Sequence, residues 1–534
     1  IYDQTCAAEL RRRRKRGLIA TPEKLVHINE AVCEGCGDCA DVSNCVAIVP
    51  VETHWGRKRQ IDQSVCNRDY LCLEGFCPAM VTVEGAQVRQ VSGAGDPPSV
   101  PEPEIRVPHR PFSMAVAGIG GTGVVTVGQI LAQAAQLEGM GAGIIDQSGI
   151  SQKNGAVLSH LKIARRPKDI AAVRTAPGGA DLLLGCDLLT AASKRILRLC
   201  DPQATMAVVN DHRIMPAQFT HDPDLEFSAD DMRARIAAAT ASATFRDATE
   251  LASALLGDSI FANMLLAGMA WQTGLVPVPR KAVLEAIRLN GVAVEENIAA
   301  FDWGRAAAHD PEAVLRAAGL RPDAVQEETF EEIMKRGVRL IRDWGDAAAA
   351  ESYRTFVERV RRVEQERCGS DELARVVARQ LARLVAVKDE YEVARLHADA
   401  AFREEIRRRY GEGARVRLHM APPLLARRDP VTGRPRKRTF GRWMTALMPL
   451  LARMRFLRGT PLDPFGYTEE RRMERALPGE YRALVERLLA DLAPETHGEA
   501  VETARLAERI RGFGHVKRRT VEAFRQRISD GAGG

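Results

Sequence analysis

The stretch that decides the fold reads Cys33-Glu34-Gly35-Cys36-Gly37-Asp38-Cys39, followed by Cys45, Cys66, Cys72 and Cys77, with Pro78 directly after the last cysteine. Seven cysteines in so short a span indicate a set of ligands rather than packing. The C-x2-C-x2-C spacing of the first three suits one corner of a cubane cluster, and a remote Cys-Pro supplies a fourth thiolate. The spacing therefore predicts a [4Fe–4S] cluster on Cys33, Cys36, Cys39 and Cys77.

The remaining cysteines, Cys45, Cys66 and Cys72, predict a second cluster with a less regular ligand set. Their gaps are wide, and they supply one thiolate fewer than a cubane needs. Three alternatives stay open for this group. Cys6 folds back as the fourth ligand, a residue other than cysteine serves, or the second cluster is incomplete or absent.

Zinc and disulfides are the competing interpretations of the same cysteines. Zinc sites favour paired C-x2-C units separated by a spacer. Three cysteines at successive two-residue gaps fit an iron–sulfur cluster better. Disulfides form in oxidising compartments, and the sequence shows no sign of export. We therefore expect a reducing, cytoplasmic location.

Composition excludes several classes of protein. The 534 residues are enough for three or four domains, and hydrophobic content is 45% with only 5% aromatic residues. A formal net charge of +6 is mild for this length and does not imply nucleic acid. No apolar run is long enough to predict a membrane span. Because the sequence begins at Ile1, we expect a piece of a longer polypeptide.

The pattern along the chain predicts a multidomain α/β plus α protein. The predicted parts are a basic segment (1–20), a ferredoxin-like iron–sulfur domain (21–91), a Pro-rich linker (92–111), a Rossmann-like α/β domain (112–310) and a mostly helical domain (311–534).

A glycine-rich turn marks the α/β domain. The strand Phe112–Ala117 leads into Gly118-Ile119-Gly120-Gly121-Thr122-Gly123, and a helical pattern follows over Val124–Leu137. This order is typical of dinucleotide-binding folds, although the last glycine comes too early for G-x-G-x-x-G. Two interpretations stay open. The glycines let helix and sheet pack closely, or they cradle an anion at the helix N-terminus. In the second case the binding residues are Gly118, Gly120, Gly121 and Gly123.

The C-terminal part shows helical periodicity but no catalytic constellation. Asp371–Tyr410 contains neither Gly nor Pro and predicts one long helix or two helices, whereas Arg415–Asp463 predicts irregular structure. Two basic runs, Arg11–Arg16 and Arg57–Arg59, lie near the cysteines in sequence. The first is typical of a solvated face. Together they predict a surface for an acidic partner such as ferredoxin.

Several of these stretches resemble one enzyme family. Ile28–Cys39, Lys58–Ser64 and Gly75–Pro78 resemble the cluster domain of the large fused indolepyruvate ferredoxin oxidoreductases. The turn Gly118–Gly123, with Ser151–Val157, resembles the gamma domain of 2-oxoacid:ferredoxin oxidoreductases. Leu457–Tyr467 resembles the C-terminal domain of the fused enzymes.

The resemblance implies a reaction, cofactors and partners. A 2-oxoacid, an aryl pyruvate in this branch of the family, is decarboxylated on thiamine diphosphate with Mg²⁺. Electrons pass through iron–sulfur clusters to ferredoxin, and coenzyme A takes the acyl group. The thiamine signature G-D-G is absent, and Gly257-Asp258-Ser259 is its nearest approach. The thiamine domains are therefore expected upstream or on another chain, within an oligomeric enzyme that binds neither nucleic acid nor membrane.

Two other classes remain as alternatives. The Arg11–Arg16 run would suit a nucleic-acid-binding protein with a zinc or iron–sulfur site. The glycine turn would suit an iron–sulfur oxidoreductase linked to a pyridine nucleotide. Metal content separates the first from our prediction, and cluster reduction by NADH would support the second.

Overall fold

The computed structural model describes residues 9–10, 13–14, 17–20, 22–86, 95–105, 107, 109–148, 155–320, 328–422 and 435–531. Cys6, most of the run Arg11–Arg16 and the loop Ser151–Asn154 lie outside these residues. The described chain forms two compact units. The cysteine unit comprises the described residues of Pro22–Val88, Phe219–Pro223 and Val325–Gly534. The α/β unit comprises those of Ile1–Thr21, Arg89–Gln218 and Asp224–Ala324.

The cysteine-rich segment is built from short strands. β1 pairs antiparallel with β4, and β2 pairs antiparallel with β3 in a hairpin that carries the basic insert. The cysteines lie on the loops between these strands, on the helix α1 and, for Cys72, on a short 3-10 helix (Leu71–Glu74). The elements of this segment are β1 (Leu25–Ile28), α1 (Asp38–Ser43), β2 (Ile48–Thr53), β3 (Gly56–Ile61) and β4 (Met80–Glu84).

The α/β unit contains a six-stranded sheet with helices on both faces. Its elements are β5 (Phe112–Ile119), α2 (Val124–Leu137), β6 (Gly141–Ser148), β7 (Ala156–Ala164), β8 (Leu182–Gly185), α3 (Leu188–Ala191), α4 (Lys194–Leu197), β9 (Met206–Asn210), α5 (Ala229–Ala239), β10 (Ser242–Arg246), α6 (Ala248–Leu256), α7 (Ala262–Gln272), α8 (Arg280–Asn290), α9 (Val294–His309) and α10 (Pro311–Ala317).

The sheet departs from the predicted Rossmann-like order. Its strand order is β10-β9-β8-β5-β7-β6, in which β10, β9, β8 and β5 are parallel. β7 runs antiparallel to both β5 and β6 and lies between them. The strand after the glycine turn and α2 therefore pairs with β7 and not with β5. β7 follows β6 directly in the chain and pairs with β5, so β6 lies at the edge of the sheet.

Burial of the sheet explains why its central strands are almost purely apolar. All eight residues of β5 are buried. Met114 and Val116 pack with α2, α7 and α9 on one face. Ala115 and Ala117 pack with α3, α4 and α5 on the other. Both faces are covered, as in other sheets whose parallel strands read as apolar runs.

The C-terminal part of the cysteine unit is mostly helical. Its elements are α11 (Phe330–Trp344), α12 (Ala347–Cys368), α13 (Glu372–Val385), α14 (Glu390–His397), α15 (Ala400–Tyr410), β11 (Arg415–Met420), β12 (Arg438–Phe440), α16 (Arg442–Arg453), α17 (Glu469–Ala490), α18 (His497–Arg505) and α19 (Gly514–Gly531).

Two predictions for this part were wrong. Asp371–Tyr410 forms three helices, because the side chains of Asp389 and Asp399 accept backbone N–H groups and so begin new helices there. Arg415–Asp463 is not irregular throughout, since it contains β11, β12 and α16. The strand β11 pairs with β4, a partner hundreds of residues away that no local pattern reveals.

The cysteine segment and the C-terminal helices share one sheet and one core. The sheet order is β1-β4-β11-β12. Four cysteines, Cys33, Cys39, Cys72 and Cys77, are buried in a cluster that also contains Val393, Leu396 and Phe513. The C-terminal helices thus form part of the surroundings of the cysteines.

Candidate iron–sulfur centre

Cys33, Cys36, Cys39 and Cys77 come together in the structure. Cys33, Cys39 and Cys77 are buried, and Cys36 is partly buried. Burial raises the pKa of Cys39 well above its usual value, and the charges of Cys77, Cys36 and Cys33 raise it further. Burial followed by the charge of Cys33 raises the pKa of Cys77 to about 12. Four thiols that influence one another in this way form one donor set, which we call the first cysteine group.

Backbone N–H groups point at sulfur atoms of this group. Gly35 donates to Sγ of Cys33 at 3.3 Å, and Ala79 donates to Sγ of Cys77 at 3.4 Å. Such hydrogen bonds stabilise a negatively charged sulfur, and at iron–sulfur clusters they also tune the reduction potential. No disulfide joins the cysteines that the structure describes.

The motif glycines are required by close contacts. Gly35 has φ +72°, and a Cβ there would lie 2.0 Å from the carbonyl oxygen of Arg57. Gly37 has φ +80°, and its Cβ would lie 2.8 Å from Cβ of Pro223. Only glycine tolerates both the left-handed backbone and this proximity. The glycines of C-x-G-C-G therefore let the cysteine loop fold tightly against β3 and the segment 219–223.

Cys45, Cys66 and Cys72 form a second cysteine group. Burial raises the pKa of Cys72 to about 12, with further contributions from Cys45, Cys66 and Asp69. The amide of Arg68 donates to Sγ of Cys66 at 3.4 Å. Asp69 also raises the pKa of Cys66, so a carboxylate lies close to two of the three thiols. Cys6, the cysteine candidate for a fourth ligand, lies outside the described residues.

The two cysteine groups differ from the ligand set of a single metal ion. In the described parts of the chain, no three His, Cys, Asp or Glu side chains converge as the ligands of one ion would. A cubane presents its iron atoms at separate corners, so its thiolates surround it instead of meeting at one point. The two groups, their N–H···S bonds and their enclosed setting match that requirement. In the first group, all four ligands are cysteines of this chain.

A buried network of cations surrounds Glu34, which follows the first cysteine. Lys388 forms an ion pair with it. Burial raises the pKa of Glu34, but Lys388, Lys517, Arg383 and Lys58 outweigh burial and lower it to about 2. Three of these four cations come from the C-terminal helices or the loops between them. The carboxylate is therefore ionised and held by charges that the cysteine segment alone could not supply.

Lys437, the residue directly before β12, is a further cation from the C-terminal part. Its Nζ donates to the carbonyl oxygen of Leu73 at 3.2 Å. Burial lowers the pKa of Lys437, whereas Cys77, Cys39 and Cys72 raise it. This lysine therefore lies within electrostatic reach of both cysteine groups. Sequence reasoning missed it, because one lysine in a stretch rich in Arg and Pro carries no signal.

The basic run Arg57–Arg59 is not the exposed surface that we predicted. Lys58 is 7% exposed and Arg59 is 1% exposed. Lys58 donates to the carbonyl oxygen of Glu30 at 3.1 Å. Both residues lie on β3 and are buried by different neighbours, since Lys58 contacts the cysteine loop and Arg59 contacts the segment 219–223. In the other run, Arg13 pairs with Glu9 at an exposed position.

The glycine turn of the α/β unit separates into packing and open positions. At Gly118 a Cβ would lie 2.7 Å from Cβ of Cys186, so this glycine serves strand packing. Gly120 donates its N–H to the carbonyl oxygen of Gly155 at 2.8 Å. Gly121 and Gly123 have φ +87° and +94°, and among the described residues a Cβ on either would meet nothing within 4 Å.

Gly123 directly precedes α2, so free space adjoins the N-terminus of a 14-residue helix. Such an end suits an anion. Asp146 on β6 accepts a hydrogen bond from Ser159. His160 on β7 is buried, and its Nδ1 accepts the N–H of Thr175 at 3.2 Å.

None of the helices in the described part of the chain has the length and apolar composition that a bilayer span requires.

Comparison with known proteins assigns the α/β unit. The profile of the family described as pyruvate ferredoxin/flavodoxin oxidoreductase matches residues 113–307. Over these residues the chain is therefore similar to this oxidoreductase family. A second profile, described as a family of unknown function (DUF6537), matches residues 330–530, which cover the C-terminal helices.

Curated relatives and a solved structure resemble a similar share of this chain. The indolepyruvate oxidoreductase subunit IorB of Archaeoglobus fulgidus is 26% identical over 195 residues, 36% of this chain and 93% of that protein. The protein of the same name from Pyrococcus horikoshii is 27% identical over 207 residues, 38% of this chain and 98% of that protein. The keto/oxoacid ferredoxin oxidoreductase gamma subunit of Geobacter sulfurreducens is 21% identical, with a TM-score of 0.27, and covers 37% of this chain and 98% of its own.

Proposed function

We propose that this chain is the electron-transfer and gamma-type portion of a thiamine-dependent 2-oxoacid:ferredoxin oxidoreductase, and that its substrate is an aryl pyruvate such as indolepyruvate. The observation that carries the electron-transfer role is the division of the seven cysteines into two groups. The family of residues 113–307 and the names of its relatives support the reaction class and the substrate.

The chain's own residues would act by holding and insulating the clusters. The first group would hold a [4Fe–4S] cluster on Cys33, Cys36, Cys39 and Cys77. Cys45, Cys66 and Cys72 would hold a second, with Asp69 or Cys6 as candidate fourth ligand. Clusters bound in this way accept and release single electrons. The backbone amides of Gly35 and Ala79 would stabilise the sulfur ligands, and the apolar side chains around them would exclude water.

The decarboxylation itself needs a cofactor site that this sequence lacks. No protein side chain is an electron sink for the carbanion formed when carbon dioxide leaves, and thiamine diphosphate supplies that sink. Gly257 ends α6 and Asp258 accepts the amide of Ile260, so neither residue belongs to a thiamine site of the G-D-G type. The thiamine and Mg²⁺ site therefore belongs to another part of the enzyme, in the cytoplasm.

Coenzyme A is proposed to bind at the glycine turn. Gly121 and Gly123 leave open space at the N-terminus of α2, where backbone N–H groups and the helix dipole favour a phosphate. Gly118 packs against Cys186, and Gly120 hydrogen-bonds to Gly155, so these two glycines fix the conformation of the turn. The acyl acceptor would thus bind in the α/β unit, and ferredoxin would receive the electrons from the clusters.

A reconstitution experiment tests this assignment. The chain is purified anaerobically and supplied with thiamine diphosphate, Mg²⁺, indolepyruvate, coenzyme A and a viologen dye. We expect no dye reduction until the thiamine-binding portion is added, and reduction afterwards. Turnover by the isolated chain, or no turnover by the combination despite loaded clusters, would contradict the proposal.

A further inference from the structure

Arg59 is a buried arginine at the edge of the first cysteine group. It lies on β3 and is 1% exposed. Its Nη2 donates to the carbonyl oxygen of Pro223 at 3.0 Å, and its guanidinium lies 4.1 Å from the centroid of the Phe219 ring. A carbonyl on one side and an aromatic face on the other fix the plane of the guanidinium.

Two donors of this guanidinium are unused. Nε and Nη1 of Arg59 are buried and have no hydrogen-bond partner among the described residues. Leaving a buried donor unsatisfied costs free energy, more so for a charged group, so native proteins seldom do it. An arginine fixed with two free donors is therefore typical of a site that receives an anion.

The surroundings of Arg59 place its guanidinium beside the first cysteine group. Burial lowers the pKa of Arg59, while Cys39 and Cys33 raise it. Arg59 in turn lowers the pKa of Cys39. A Cβ built on Gly37, between Cys36 and Cys39, would lie 3.7 Å from Nη2 of Arg59. The guanidinium thus lies against the loop that carries three ligands of the first group.

We propose that Arg59 donates hydrogen bonds from Nε and Nη1 to the sulfur atoms of the first cluster and raises the reduction potential of that cluster. The inference rests on the proposed function, because it needs a cluster on the first cysteine group. Phe219 and Pro223 fix the orientation of the Arg59 guanidinium. The guanidinium would in turn contact the negatively charged cluster. A fixed positive charge favours the reduced cluster, which carries one more negative charge.

The test compares reduction potentials of loaded variants. Arg59→Met removes the charge and the donors, and Arg59→Lys keeps the charge. Arg57→Met is the matched control, since Arg57 lies on the same strand but directs its Nε to Glu52 at 2.7 Å. Iron and acid-labile sulfide are measured first, and the potential of the first cluster is then read from an EPR-monitored redox titration.

We expect Arg59→Met to lower the ratio of reduced to oxidised cluster at a fixed potential about tenfold. For one electron, this corresponds to a reduction potential that is lower by about 59 mV. Arg59→Lys should shift the ratio much less, and Arg57→Met should leave it near wild type. A loaded Arg59→Met protein with the wild-type potential would overturn the inference.

If Arg59→Met does not retain the first cluster, the unfolding temperature of its apo chain distinguishes a role in holding the cluster from a purely structural role. If Arg59→Met cannot retain the first cluster but its apo chain unfolds at the wild-type temperature, Arg59 holds the cluster and the inference stands. If the apo chain unfolds at a clearly lower temperature and Arg59→Lys shows the same defect, the role is merely structural and the inference fails. A wild-type chain that binds no iron and sulfide would instead refute the proposed function.

Discussion

Nζ of Lys388 lies 2.6 Å from Oε1 of Glu34, and this pair joins the loop between α13 and α14 to the residue after the first cysteine. Lys388 also donates to the carbonyl oxygens of Val32 and Cys33 at 3.2 and 3.0 Å. One lysine of the C-terminal part therefore fixes the backbone at Cys33. The cysteine loop is shaped by tertiary contacts as well as by its own glycines.

We predict that Lys388→Met destabilises the cysteine unit strongly. Removing one partner of a buried pair costs about 3–5 kcal/mol, and we expect the lower end because Lys58, Arg383 and Lys517 still face Glu34. Urea unfolding of the apo chain measures the change. Arg354→Met, which removes the exposed partner of Glu351, should leave the free energy of unfolding close to the wild-type value. Equal costs for the two variants would contradict the role of the buried pair.

We predict that Gly35→Ala prevents loading of the first cluster. The added Cβ would meet the carbonyl oxygen of Arg57 at 2.0 Å, so the cysteine loop must move. Gly369→Ala is the control, since Gly369 has a similar φ of +67° with nothing within 4 Å. Both alanine variants are destabilised by the left-handed backbone by about 1–2 kcal/mol, but only Gly35→Ala adds the steric clash. Iron per chain after reconstitution should fall in Gly35→Ala alone, and normal loading would show that the loop tolerates the movement.

We predict that the cysteine unit loses stability in mild acid, partly through His419. Burial, followed by the charges of Lys437, Lys24 and Arg417, lowers the pKa of His419 from 6.5 to about 4. The neutral ring is bonded to Thr82 and Thr439. Because the unfolded chain binds the proton more readily, the stability that is present above pH 6.5 is lost as pH falls towards 4.

Urea unfolding between pH 7 and pH 4 checks the contribution of His419. His419→Gln should flatten part of the pH dependence of the free energy of unfolding, whereas His221→Gln, at an exposed position, should not. An unchanged slope in His419→Gln would mean that other groups cause the acid sensitivity.

We predict that Gly121→Ala weakens coenzyme A binding in the complete enzyme severalfold. Gly121 has φ +87° and free space around it, so a methyl group would enter the volume where we place a phosphate. Gly178→Ala, at φ +66° with equally free surroundings in the same unit, is the control for backbone strain. The KM for coenzyme A should rise only in Gly121→Ala. An equal rise of the KM for coenzyme A in both variants would mean that the glycine turn serves packing alone.

The sequence predicted the features that depend on short spacing. The grouping of Cys33, Cys36 and Cys39 follows from gaps of two residues, and the strand–turn–helix around Gly118–Gly123 follows from local periodicity. Cys186 and Cys200, which lack ligand spacing, are buried as small apolar residues commonly are.

Long-range features were not predictable from the same signals. The pairing of β11 with β4 depends on contacts between distant segments, and so does the position of Lys388 and Lys437 beside the cysteines. Arg57–Arg59 looked like a surface because charge usually is exposed. What buries Lys58 and Arg59 is the segment around Phe219 and Pro223 and the C-terminal helices, which no local pattern places there.

The central claim is that the seven cysteines hold iron–sulfur clusters in two separate groups. The most direct measurement is the iron, acid-labile sulfide and zinc content of the anaerobically reconstituted chain, together with its EPR spectrum, in wild type, Cys36→Ala, Cys72→Ala and the control Cys368→Ala. We predict iron and sulfide without zinc, loss of one cluster's iron and its own spectral component in Cys36→Ala, loss of the other component in Cys72→Ala, and no change in Cys368→Ala. Zinc in place of iron, or the same iron content in Cys36→Ala as in wild type, would contradict the account.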